Sequence, residues 1–95
     1  MNISNVNIFE LQPHNGRKSF YGKCQVLEDE KHKKYYLKSY NTIVASFDKK
    51  KKIFRKHWDG YSHTTQAHIN SFLRYCGISE SGKKYWDSLK YIPLD

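Results

Sequence analysis

The stretch from Asp59 to Gly77, DGYSHTTQAHINSFLRYCG, is where the sequence changes its period, and that change decides the fold. Thr65, Ile69, Phe72, Leu73 and Cys76 follow the three-and-four spacing of an amphipathic helix, and Gly77 stands where a C-terminal cap is needed. The spacing predicts a helix over residues 64–76. Ser62, Thr64 and Thr65 sit at its entry, where exposed backbone N–H groups need side-chain oxygens, so Ser62 or Thr64 is expected as the N-cap. A second, shorter helix is predicted over 82–90, presenting Tyr85, Trp86 and Leu89, before Pro93 ends the ordered chain.

Upstream no helical period is sustained. Short runs rich in Val, Ile, Tyr and Phe recur between turn signals and predict strands at 6–12, 20–28, 35–40, 43–47 and 53–57. Pro13-His14-Asn15-Gly16 supplies the first turn, with Gly16 free to take positive φ. The charged segment 29–34 makes a second, and the four lysines 49–52 another. Asn41-Thr42 suits a tight hairpin in which Asn41 takes the left-handed conformation. The expected fold class is therefore α+β: an antiparallel sheet of four to five strands covered on one face by one long and one short helix. One compact domain over 1–95 is expected, with strands within 6–57 and the helical part within 62–91.

The chain has 95 residues, near the small end of what one hydrophobic core sustains without staples. Aromatic residues make up 16% of it, enough large rings to fill such a core. No apolar run approaches the length of a bilayer span and the N-terminus lacks the order of a secretory signal, so a soluble, cytoplasmic protein is expected. In that reducing setting Cys24 and Cys76 are expected to remain thiols.

The net charge of +8 is local. Between residues 31 and 56 stand ten basic side chains, Lys31, Lys33, Lys34, Lys38, Lys49, Lys50, Lys51, Lys52, Arg55 and Lys56, against one acid, Asp48. The rest of the chain holds seven basic and eight acidic residues, so the basicity belongs to one surface. Tyr35, Tyr36, Phe54 and Trp58 interleave with these cations, and charge with aromatics is what nucleic-acid surfaces use for phosphates and stacking. The bland alternative is a solubilising face whose rings point inward, which strand alternation produces anyway.

Residue types for catalysis exist in the opening stretch: Asp59, His63, His68 and three hydroxyls. His63 and His68, however, are five apart and so separated by about 140° on a helix, too far round to share one metal or substrate. His68, at the edge of the apolar stripe, is expected to pack. The scattered histidines and cysteines form no metal-ligand spacing. Residues 77–84, GISESGKK, spell the opening of a phosphate-binding loop but follow a helix and carry Lys84 where a hydroxyl would hold magnesium, so they read as a cap and a turn. No catalytic residue, metal or cofactor is expected.

Three phrases, RKSFYGK at 17–23, SYNTIVASF at 39–47 and YSHTTQAHINSFL at 61–73, together resemble a family of small, largely uncharacterised domains carried by phages and other mobile elements of Gram-positive bacteria. That family's pattern runs K-S-F-Y-x-K, S-Y-x-T-x-V-A and Y-S-x-T-T-x-x-H-x-x-x-F. Phe20, Tyr21, Tyr40, Thr42, Tyr61, Ser62, Thr64, Thr65, His68 and Phe72 are among the matching positions, and the resemblance implies a structural role for them. It also implies a setting in which small non-enzymatic proteins bind and block host defence machinery. An interaction protein is therefore expected, such as an anti-CRISPR inhibitor, that grips a defence protein or a Cas nuclease with its guide RNA through the basic surface. A nucleic-acid-binding accessory or regulatory protein using the same lysines is the alternative.

Overall fold

The computed structural model describes residues 6–13 and 19–94. Five strands, β1 (Asn7–Glu10), β2 (Cys24–Asp29), β3 (Lys34–Ser39), β4 (Thr42–Asp48) and β5 (Ile53–Lys56), form one antiparallel meander in sequence order. Two helices come after them, α1 (His63–Tyr75) and α2 (Gly82–Ser88). The fold is α+β, with the sheet packed against one longer and one shorter helix.

Alternation along the strands divides the sheet into two faces. Toward the helices point Val26, Leu37, Ala45 and Phe47, which join Ile69, Phe72 and Leu73 of α1 and Trp86 of α2 in one buried cluster. Leu37 opposes Ala45 while Lys38 opposes Ile43, so Val44 is an extra residue in β4. This bulge lets two consecutive apolar side chains, Val44 and Ala45, both be buried.

Both ends of α1 close as the sequence predicts. The Ser62 hydroxyl accepts from the Thr65 N–H at 3.1 Å. At the other end Gly77 takes φ 83°, its N–H donates to Arg74 O, and the Ile78 N–H reaches back to Leu73 O, the paired bonds of a Schellman cap. Asn70 Oδ1 accepts from both Gln66 Nε2 and the Gly82 N–H at 2.9 Å, so α1 supplies the acceptor that opens α2. Gly77 and Gly82 are thus a helix cap and a helix start.

The turn expected at 13–16 lies largely outside the described residues, and two local expectations shift. The second strand begins at Cys24 and not at Phe20, because Tyr21 and Gly22 take φ of 54° and 75° and the Lys23 N–H closes a turn on Phe20 O at 3.0 Å. In the β3–β4 hairpin the turn residues are Tyr40 and Asn41, and the left-handed one is Tyr40 at φ 56°. Pairing of Ser39 with Thr42 fixes that register, which makes Tyr40 the first central residue.

Candidate functional site

In a meander alternate turns fall at the same end, so residues 30–33 and 49–52 come together at one end of the sheet. The Lys49 N–H donates to Lys33 O at 2.9 Å, joining the two turns directly. Lys31, Lys33, Lys50, Lys51 and Lys52 are exposed there. Lys49 differs, since its ammonium lies 2.9 Å from Glu28 and 3.6 Å from Glu30 and 4.6 Å from the Tyr35 ring centroid. The hydrogen bond to Glu28 raises Lys49 above the ordinary lysine value and depresses the Glu28 carboxyl. Lys33 pairs with Glu30 at 3.7 Å. Lys31, Lys50, Lys51 and Lys52 make no ion pair among the described residues.

The other basic residues go elsewhere. Lys34, Lys38 and Arg55 lie on the sheet face away from the helices. Lys56, on the opposite face beside Phe54, is only 5% exposed; its Nζ donates to Trp86 O at 3.1 Å and lies 5.0 Å from the Trp86 ring centroid. The expected ten-residue surface is therefore corrected: Lys56 is a buried strut between β5 and α2. Alternation from inward-facing Phe54 is the signal that places it there, a signal its charge conceals. Tyr35, Phe54 and Trp58 also pack against the core, and the Tyr35 ring is covered by the Lys49 ammonium, so these rings are not free to stack on bases.

The motif residues gather at the far end of the sheet and on α1. Ser39 Oγ lies 2.8 Å from His68 Nδ1 and 3.0 Å from Thr65 Oγ1, all three residues being buried. Rings close this knot: Phe20 meets His68 edge-on at 4.5 Å and Tyr40 tilts against it at 5.6 Å. A serine beside a histidine has the types of a nucleophile and its base, but with His68 wholly inaccessible the arrangement works as a packing joint between β3 and α1. Phe72 is likewise wholly buried. Tyr21, Tyr40 and Tyr61 are exposed, with Lys83 Nζ 5.2 Å from the Tyr61 ring centroid, and Thr42 is exposed while Thr64 is half-buried.

Sequence reasoning missed a row across the open face: Tyr36 of β3 pairs with Ser46 of β4, which pairs with Arg55 of β5. Beyond it His57 bonds Ser46 Oγ through Nε2 and Ile92 O through Nδ1, each at 2.7 Å. Nothing local in the sequence marks this row, since it depends on register across three strands. Burial holds the thiols of Cys24 and Cys76 up at about 12, which disfavours the thiolate form of both. Among the described residues no three His, Cys, Asp or Glu side chains cluster to hold a metal ion, and no helix is long and apolar enough to cross a membrane.

Neither the curated proteins nor the solved structures include a match to this chain. A family model described as a family of unknown function, DUF8033, matches residues 9–88, and the chain belongs to that family.

Proposed function

We propose that this chain is a non-catalytic binding protein that docks through the lysine end of its sheet onto an acidic protein surface. The observation that carries the reading is the joining of the 30–33 and 49–52 turns, which sets Lys31, Lys50, Lys51 and Lys52 in solvent without ion pairs among the described residues. Glu30, also exposed, stands among them. A mixed-sign rim of this kind suits a protein face and speeds its encounter, whereas a surface tracking phosphates is weakened by an acid in its midst. In the mobile-element setting that the resemblance implies, the partner is a host defence protein, such as a Cas nuclease with its guide RNA, in the bacterial cytoplasm.

The nucleic-acid reading uses the same lysines and is narrowed to backbone contact, because the neighbouring rings pack inward. One experiment separates the two. The purified chain is titrated with duplex and single-stranded nucleic acid at about 0.15 M salt, and in parallel co-elution from nuclease-treated host lysate is compared with that of a Lys50→Glu, Lys51→Glu, Lys52→Glu variant. Negligible nucleic-acid binding together with nuclease-resistant co-elution that the variant loses supports the protein partner. Tight, steeply salt-dependent binding, falling by roughly one unit of log–log slope per lysine removed, replaces it with the nucleic-acid reading.

A further inference from the structure

We propose that the open face of the sheet holds a second site, independent of the lysine end, for the oxyanion of a small phosphate monoester. A cavity of about 310 Å³ lies between β3–β5 and the C-terminal segment 92–94. Its floor is the row Tyr36, Ser46 and Arg55, with Lys34 and His57 beside it on the same face. Its far wall is pinned, since the Ile92 N–H donates to Lys56 O at 2.8 Å and Ile92 O accepts from His57 Nδ1.

Two half-buried cations there make no ion pair within 4.0 Å among the described residues. Arg55 Nη1 is buried with no hydrogen-bond partner among the described residues, and a guanidinium fork in that state is complementary to a phosphoryl or carboxylate group. Lys34 pairs in register with Asp29 and Asp48 yet makes no ion pair with either. Those carboxylates are occupied: Asp29 by the His32 ring at 2.7 Å and its N–H at 3.2 Å, Asp48 by the N–H groups of Lys50 and Lys51 at 3.0 and 2.9 Å. Asp48, on the strand beside Arg55, adds negative charge at one edge of the cavity, which favours a single anionic group at the guanidinium over an extended polyanion.

The hydroxyls add polarity that adapts. Because Nδ1 of His57 donates to Ile92 O, a neutral ring presents Nε2 as acceptor and the Ser46 O–H donates to it. Protonation of His57 reverses that bond and frees the Ser46 O–H for an anion. Ile92, Pro93 and Leu94 offer an apolar wall to the body of the ligand, and the phosphate reaches Arg55.

Phenyl phosphate, inorganic phosphate and phenol serve as probes of the full chain, read by amide and side-chain chemical-shift titration in about 0.15 M salt. Phenyl phosphate is expected to saturate with shifts centred on Ser46, Arg55 and His57, more tightly than inorganic phosphate, and phenol not to saturate. Arg55→Lys, which keeps the charge and loses the fork, weakens phenyl phosphate by about tenfold or more, while Lys50→Ala, Lys51→Ala, Lys52→Ala leaves it within about twofold. The proposal is overturned if phenyl phosphate fails to saturate by about 10 mM, if phenol binds as well, or if the shifts centre on the lysine end. The map on the wild-type chain decides the site even should a variant fold poorly.

Discussion

At the lysine end Lys33 and Lys52 hold φ of 54° and 61°; at the opposite end Tyr21 and Tyr40 hold 54° and 56°. The left-handed region costs a residue with a Cβ roughly 1–2 kcal/mol, so the same backbone device is used twice at each end. Its consequences differ between the two. Tyr40 turns its ring toward His68 and helps seal the Ser39–Thr65–His68 knot, so the tyrosine end is continuous with the core. Lys33 and Lys52 extend into solvent, and beneath them polar contacts, Lys49 with Glu28 and the Asp48 carboxylate with two turn amides, hold the turns together. One end is fastened by burial and the other by charge, which frees the lysine end to vary without unfolding the protein.

The largest test of that contrast is His68→Ala. The substitution removes a wholly buried ring that touches Phe20 and Tyr40 and leaves the Ser39 hydroxyl without its imidazole. A loss of about 3 kcal/mol is expected, which lowers the thermal midpoint by on the order of 15 °C. Lys50→Ala, Lys51→Ala and Lys52→Ala, all exposed, should each change stability by no more than about 0.5 kcal/mol. Comparable losses in the two melts would erase the distinction between the ends.

A smaller effect sharpens it. Lys52→Gly relieves a left-handed backbone without removing a packed side chain, so a gain of about 0.5 kcal/mol is expected after the extra chain entropy of glycine is subtracted. Tyr40→Gly relieves the same strain but deletes the ring against His68, and a net loss is expected. Urea midpoints moving in opposite directions for the two variants would show that the backbone device is equivalent and the side chains are not.

How much of the fold is legible in the sequence depends on distance along the chain. Ser62, Gly77 and the Thr65-Ile69-Phe72-Leu73 stripe act within a few residues of one another, and the helix they define is present with its expected caps. Lys56 departs from the expected surface because its partner, the Trp86 carbonyl, lies 30 residues away, and its charge outweighs alternation in a local pattern. Tyr40 displaces Asn41 as the left-handed residue for a similar reason: local propensity favours asparagine, but the Ser39–Thr42 register and the contact with His68 fix which residue must turn. The Tyr36–Ser46–Arg55 row requires register across three strands and a bulge at Val44, none of which a pattern of residue types contains.

The smallest expected effect concerns the charge fastening itself. Glu28 titrates below its ordinary 4.5 because Lys49 donates to it, and Lys49 titrates above 10.5 for the same reason. A depressed carboxyl stabilises the fold above its unfolded value and loses that contribution as pH falls through the folded one; a raised lysine stabilises below its unfolded value and loses it as pH rises through the folded one. The pair is therefore at full strength between 4.5 and 10.5. Both side chains are about one-fifth exposed, so solvent screens them only in part, and Lys49→Met is expected to cost about 0.5 kcal/mol at neutral pH. Urea midpoints of wild type and variant should converge as pH is lowered far enough below 4.5 to neutralise Glu28 in both. A gap that persists there would place the contribution of Lys49 in its contact with the Tyr35 ring and not in its ion pair with Glu28, and the lysine end would then be fastened against a ring as the tyrosine end is.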